Sequence, residues 1–144
     1  MQTLEFFIPL PRIPGTTAQE KGIAVRRGKP KPYDTAELKQ VKQLFRDHLA
    51  LHAPPEPLTG PVYLSVTWLY PAAGDHKPGE WKTTRPDTDN LIKLFKDQMT
   101  RVGFWKDDAQ VCQEVNNKLY NDVCGIAVQV EQLPPTVQEF VNGR

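Results

Sequence analysis

Two carboxylates held close together repel each other unless a cation lies between them, and this chain carries such a pair at Asp87 and Asp89. Asn90 follows at once, Lys93 stands four residues after Asp89, and a second acidic pair, Asp107-Asp108, comes later. The chemistry these groups suit is that of a hard divalent cation. Magnesium takes carboxylate and phosphate oxygens at ~2.0–2.1 Å in octahedral geometry. Held by two or three aspartates on different elements, it polarises a phosphodiester, lowers the pKa of an attacking water and steadies the leaving oxygen. On a helix Lys93 lies one turn beyond Asp89 on the same face, placed to touch a scissile phosphate or to steady a carboxylate. Each residue also has a plain use. Asp89 and Asn90 are good helix caps, Asp107-Asp108 is an ordinary polar turn, and Asp89–Lys93 taken alone is a helix ion pair worth about 0.3–0.5 kcal/mol.

Two other uses of closely spaced aspartates fit less well. In a calcium loop starting at Asp87, the position that needs glycine holds Ile92 and the one that needs glutamate holds Gln98. A metal-dependent nucleotide-sugar transferase would need a Gly-rich nucleotide loop and a larger fold than this chain offers.

The acids require an element between them. Leu91, Ile92, Phe95, Met99 and Val102 recur at spacings of three and four, the pattern of one face of an amphipathic helix of about four turns. Gly103 is suited to end it in the left-handed conformation. Such a helix is roughly 20 Å long, so the two acidic ends meet only if the chain turns back after Gly103, with Phe104-Trp105 as the anchor of the return. A strand is then expected from near Ala109.

Elsewhere, residues 3–10 read as a first strand ended by Pro9 or Pro11, and residues 11–33 as a long Gly- and Pro-containing basic loop with Lys21, Arg26, Arg27, Lys29 and Lys31. Asp34 to His52 reads as a helix opened by a capping box, Asp34-x-x-Glu37. Val62 to Tyr70 alternates as a strand with Val62, Leu64, Val66, Trp68 and Tyr70 on one side. A second basic loop, with His76, Lys77, Lys82 and Arg85, leads into the acidic motif. Ala109–Tyr120 and Val123–Leu133 read as a hairpin turning at Asn121-Asp122, with Tyr120 opposite Val123. Residues 133–144 form a C-terminal tail, in which Thr136-x-x-Glu139 can cap a closing turn. The order β-α-β-α-β-β argues an α+β layer, a mixed sheet of about four strands covered by two helices in a single domain spanning 1–144.

The 144 residues carry a formal net charge of +1, so bulk charge announces no polyanion partner, although the two basic clusters can give one positive face. No apolar run approaches the ~20 residues of a membrane span, and the amino terminus lacks the features of a signal peptide, which points to the cytosol. Cys112 and Cys124 have no metal-ligand spacing and would lie far apart on the expected hairpin, which argues against a disulfide. His48 and His52 have a zinc-like spacing but no further ligands nearby, and read as half-exposed helix positions.

Taken together, Asp87-x-Asp89-Asn90-Leu91-x-Lys93 followed by Gly103-Phe104-Trp105-x-Asp107-Asp108-x-Gln110-Val111 resembles the RusA family of Holliday junction resolvases. The resemblance implies that Asp87, Asp89 and Asp108 bind magnesium and that Lys93 is the essential basic residue beside them. It also implies a homodimer that cuts four-way branched DNA by paired symmetric nicks. Members of the family can carry a run of arginines directly before the first aspartate, whereas Thr83-Thr84-Arg85-Pro86 supplies one. Phosphate contacts are therefore expected from Arg26, Arg27, Lys29 and Lys31, with Lys82 and Arg85. The alternative to an endodeoxyribonuclease is a non-catalytic protein that holds branched DNA through its basic loops and uses the acids as caps.

Overall fold

The alternation along Val62 to Trp68 decides which face of the sheet is covered. Val62, Leu64, Val66 and Trp68 are fully buried while Tyr63, Ser65 and Thr67 between them stay half exposed. In the computed structural model, which describes residues 1–15 and 21–138, they belong to strand β4 (Val62–Pro71). The other elements are β1 (Thr3–Pro9), β2 (Lys21–Arg26), β3 (Lys29–Asp34), α1 (Ala36–Ala50), α2 (Thr88–Arg101), β5 (Val111–Asn121) and β6 (Gly125–Gln132). Four strands make one mixed sheet in the order β1-β6-β4-β5, antiparallel throughout except for β4 beside β5. Both helices close the buried face through one aromatic cluster, in which Phe45 of α1 and Phe95 of α2 meet Trp68 with ring centroids 6.3 and 5.3 Å away. The expected α+β layer of two helices on a four-stranded mixed sheet is present.

Three local expectations are corrected. The segment read as a basic loop contains a hairpin, β2–β3, in a two-stranded sheet of its own. Its turn is Arg27-Gly28, both at positive φ (51° and 74°), the conformation a two-residue hairpin turn demands. Pro30 and Pro32 lie opposite Val25 and Ile23, and counting from the Arg26–Lys29 pair beside the turn these are non-hydrogen-bonded positions. Neither proline removes a ladder bond, so the usual argument against proline in a strand fails here. Residues 16–20 of the same segment lie outside the described residues.

The expected hairpin between the last two strands does not form either, because β4 lies between β5 and β6. The most apolar strand takes a partner on each edge, with β5 reached by the crossover through α2. The chain then steps across to Gly125, where an added Cβ would lie 2.2 Å from the Ile8 carbonyl oxygen, so only glycine lets β6 settle beside β1. Cys112 consequently lies at the start of β5 and Cys124 just before β6, both as free thiols.

The first helix is capped by Thr35, whose Oγ1 accepts from the Leu38 amide at 3.2 Å, rather than by Asp34. Asp34 ends β3, and its carboxylate accepts from Lys42 at 2.6 Å. His52 stacks on Phe6 (centroids 4.4 Å apart, 6° between planes), which gives that histidine a packing role. Glu139, the far half of the expected tail cap, lies outside the described residues. Among the described residues no helix is long and apolar enough to cross a membrane.

Tyr70, at the end of β4, is half buried, and its hydroxyl has no hydrogen-bond partner among the described residues. Burial first, then the nearby Cys124 and Tyr120, push its pKa up to about 12. With a folded pKa above the unfolded one, the neutral phenol supports folding fully below pH ~10, and that support is lost as pH rises toward ~12. Tyr70→Phe should therefore be neutral to about 1 kcal/mol more stable at pH 7, since it removes an unpaired hydroxyl. Relative to wild type it should gain further between pH ~10 and ~12, which urea unfolding at neutral pH and near pH ~11 checks.

Candidate active site

Helix α2 begins at Asp87, which occupies the N-cap position (φ −73°, ψ 148°) yet makes no side-chain cap hydrogen bond. An aspartate there normally accepts from the second or third amide of the helix. The carboxylate is exposed and leaves that capping position unused. Asp89, in the first turn, and Lys93, one turn on, are also exposed, and they form no ion pair with each other. Among the described residues, the side chains of Asp87, Asp89, Lys93 and Asp108 have no hydrogen-bonding or ion-pairing partner. The helix dipole places partial positive charge at this end, favouring nearby carboxylates by about 0.3–1 kcal/mol.

The far end of α2 closes in a Schellman motif. Gly103 lies at φ 94°, its amide donates to Thr100 O at 3.1 Å, and the Phe104 amide donates to Met99 O at 3.1 Å. Phe104 and Trp105 are then buried against the core, and the Trp105 indole donates to Thr100 Oγ1 at 2.8 Å. This is the expected anchor of the return.

Beyond that anchor the chain forms a 3-10 turn, Asp108–Gln110, where a strand from Ala109 was expected. The two acids divide there. Asp107 is the N-cap, accepting from the Ala109 amide at 2.8 Å, and Gln110 completes a capping box. Gln110 also donates to Leu58 O and Gly60 O, both at 3.0 Å, tying the turn to the chain before β4. Asp107 is committed to structure, and Asp108, half buried, is left over.

Parallel pairing of β4 and β5 fixes where these groups lie. The crossover helix runs opposite to both strands, so Asp87 and Asp89 sit at the C-terminal end of β5 and Asp108 at its N-terminal end. The 14 residues of α2 span about 21 Å at ~1.5 Å each. Along β5, Lys118, whose ammonium donates to Thr84 O and Pro86 O (2.7 Å each), is seven residues from Val111, roughly 23 Å of strand. Consistent with both rulers, no group of three or more His, Cys, Asp or Glu side chains placed to hold a metal occurs among the described residues. Within one chain, Asp87 and Asp89 share the start of α2, and Asp108 lies at the opposite end of the sheet.

The basic residues are equally divided. Arg85 is exposed beside the acids, and the hairpin turn carries Arg27 and Lys29, also exposed, with Arg26 and Lys31 in β2 and β3. Lys82 is engaged within the chain, donating to Thr84 Oγ1 at 2.7 Å and lying over the rings of Tyr70 and Tyr120 at 4.8 and 5.4 Å. His76 stacks on Tyr120 and binds Glu80 at 2.9 Å; that bond, then one from the Lys77 amide, lowers the Glu80 pKa. Sequence reasoning did not find Lys118, since one lysine on a polar strand carries no signal until the strand is known to lie beside the approach to Asp87.

Comparison with known proteins places this chain in a family. A family model described as endodeoxyribonuclease RusA matches residues 14–131. A crossover junction endodeoxyribonuclease, rusA of Lactococcus phage r1t, is 31% identical over 131 residues, covering 90% of this chain and 98% of that protein. The uncharacterized protein YqaN of Bacillus subtilis (strain 168) is 29% identical over 121 residues, covering 76% of this chain and 84% of its own. With most of its length matched, and with unpartnered aspartates where the motif puts them, the chain belongs to the RusA family of endodeoxyribonucleases.

Proposed function

We propose that this endodeoxyribonuclease resolves four-way branched DNA by paired nicks, with magnesium held by Asp87, Asp89 and Asp108 and with Lys93 beside the scissile phosphate. The observation that carries the reading is the uncapped N-cap: Asp87 forgoes the hydrogen bond its position offers, while Asp107 takes the structural role at the other acidic pair. The donor set is all carboxylate oxygen, which suits magnesium, an ion that takes a few carboxylates and keeps waters for substrate oxygens to replace. When bound, the ion supplies polarisation of the phosphodiester and a more acidic water. Asp87 and Asp89 orient it at the helix start, and Lys93 neutralises charge on the phosphate. Arg85 and the β2–β3 turn, with Arg27 and Lys29, hold the flanking backbone.

The distance between Asp108 and the other two aspartates makes the fit a property of two chains. The outer edge of β5 is covered near Lys118–Tyr120 by residues 79–82, and Cys112 to Val115 are exposed. Two copies paired antiparallel through that open stretch, about a two-fold axis near Glu114, bring Asp108 of the partner subunit level with Lys118–Tyr120, the end where Asp87 and Asp89 stand. The same axis sets two α2 helices antiparallel. Their exposed Asp89, Lys93, Asp97 and Arg101 then form a self-complementary order, acid facing base. A homodimer so built has two sites related by symmetry, as paired cutting of a symmetric junction requires.

The test is incubation with a synthetic four-way junction. Magnesium-dependent nicks at symmetric positions, with plain duplex uncut, are expected. An intact protein that nicks no four-way junction, flap or fork would overturn the proposal. Binding should weaken steeply with salt as phosphate contacts release counterions.

A further inference from the structure

We propose that Trp81 is a base-stacking residue, receiving an unstacked nucleobase of branched DNA beside the phosphate that the Asp87–Asp89 end of α2 cuts; this rests on the reading of the chain as a branched-DNA nuclease. Of the three tryptophans, Trp68 and Trp105 are buried at 0% and 1% exposure, whereas Trp81 is 64% exposed. A large ring left in water on an otherwise mobile connection would be unremarkable, but this backbone is held to β5 by an isolated β-bridge. Trp81 bridges Leu119 antiparallel, flanked by Gly79 N to Tyr120 O (2.7 Å), Tyr120 N to Glu80 O (2.9 Å) and Lys82 N to Lys118 O (2.9 Å). The ring is thus presented on a fixed platform, and a ligand stacking on it meets little ordering cost.

Its direction follows from its neighbour. Lys82 turns onto the Tyr70 and Tyr120 rings, and successive side chains of an extended segment point to opposite faces, so Trp81 faces away from that cluster. Its distance from the acids is bounded by six residues of chain, about 20 Å fully extended. The true span is shorter, since Lys118 binds the Lys82 amide through its backbone and the Thr84 and Pro86 carbonyls through its ammonium. Lys77 and Arg85, both exposed, add positive charge on either side.

An aromatic plane amid cations is the arrangement that binds unpaired bases, each stack being sequence-tolerant because every base has a π-face. Bases at an opened branch point lose a stacking neighbour that bases within a duplex keep. The indole therefore discriminates branched from linear DNA without reading sequence.

The experiment compares full-length wild type with Trp81→Ala and Trp81→Phe, using a four-way junction with 2-aminopurine at the branch point and a matched duplex. Wild type should quench 2-aminopurine at the branch, and acrylamide-accessible tryptophan emission, lost in Trp81→Phe, should become protected on junction binding. Trp81→Ala should lose junction affinity by roughly 5- to 100-fold while duplex affinity changes less than about two-fold, and Trp81→Phe should keep part of the affinity. Equal junction and duplex losses, unchanged 2-aminopurine emission, or a dimer weakened in Trp81→Ala would overturn the assignment, the last making Trp81 a subunit contact. If wild type cuts junctions and Trp81→Ala cuts them equally well, this inference fails alone. If wild type cuts no branched DNA, the reading beneath it fails too.

Discussion

Asp89→Asn should abolish cutting of a four-way junction, by roughly 10³-fold or more, and leave junction affinity within about two- to three-fold. A carboxylate that holds the metal contributes several kcal/mol of transition-state charge stabilisation, and each ~1.36 kcal/mol is a factor of ten in rate. The carboxamide is nearly the same shape, Asp89 is exposed, and its side chain bonds to nothing among the described residues, so the fold has no reason to respond. Removing a negative charge from a surface that binds phosphate does not weaken binding. Asp87→Asn should behave alike, since asparagine is as good an N-cap and there is no cap bond to lose. Single-turnover cleavage with gel-shift affinity in the absence of metal separates the two quantities. Loss of binding together with cutting would instead mark a structural role.

The second large effect falls on the neighbouring acids, where two adjacent residues should part company. Asp108→Asn should be as damaging as Asp89→Asn, although a helix length separates the two within one chain. Asp107→Ala should cost about 0.5–2 kcal/mol of stability, as loss of an N-cap usually does, and reduce cutting by less than about tenfold. Asp107 accepts from the Ala109 amide, and Gln110, its capping-box partner, holds the turn to Leu58 and Gly60. Thermal unfolding and cleavage on the same two variants check the contrast. If Asp107→Ala were inactive while Asp108→Asn cut normally, their roles would be exchanged.

The elements that could be read from sequence are those whose signal is local. Val62 to Trp68 alternate because one face packs on both helices, and Leu91 to Met99 repeat because α2 buries one side. Gly103 adopts the positive φ expected of it. The misleading signals are local too. Pro30 and Pro32 look like strand breakers, and only register shows that they sit where no ladder bond is needed. Asn121-Asp122 looks like a hairpin turn, yet β5 and β6 both pair with β4 instead, and that competition is decided by the whole sheet.

The candidate site divides the same way. Residue types and spacing pointed to Asp87, Asp89, Lys93 and the pair Asp107-Asp108, the resemblance to the RusA family singled out Asp108, and the fold-back at Phe104-Trp105 is present. The spacing could not say that the return ends at the opposite end of the sheet, because that follows from a parallel β4–β5 pair. Nor could it tell Asp107 from Asp108, since a 3-10 turn occupies those positions and Asp107 is the residue that caps it.

A magnesium site shared between two chains is tested most directly by mixed dimers. Asp89→Asn and Asp108→Asn chains, each inactive alone, are co-expressed, and dimers carrying one of each are isolated by two different tags. One site of such a dimer has both defects, and the other keeps Asp87 and Asp89 of one chain with Asp108 of its partner. The mixed dimer should therefore nick one strand of a junction at about half the wild-type rate, without the second symmetric cut. A mixed dimer as inactive as either parent would mean that each site is built from a single chain, and would contradict the shared site.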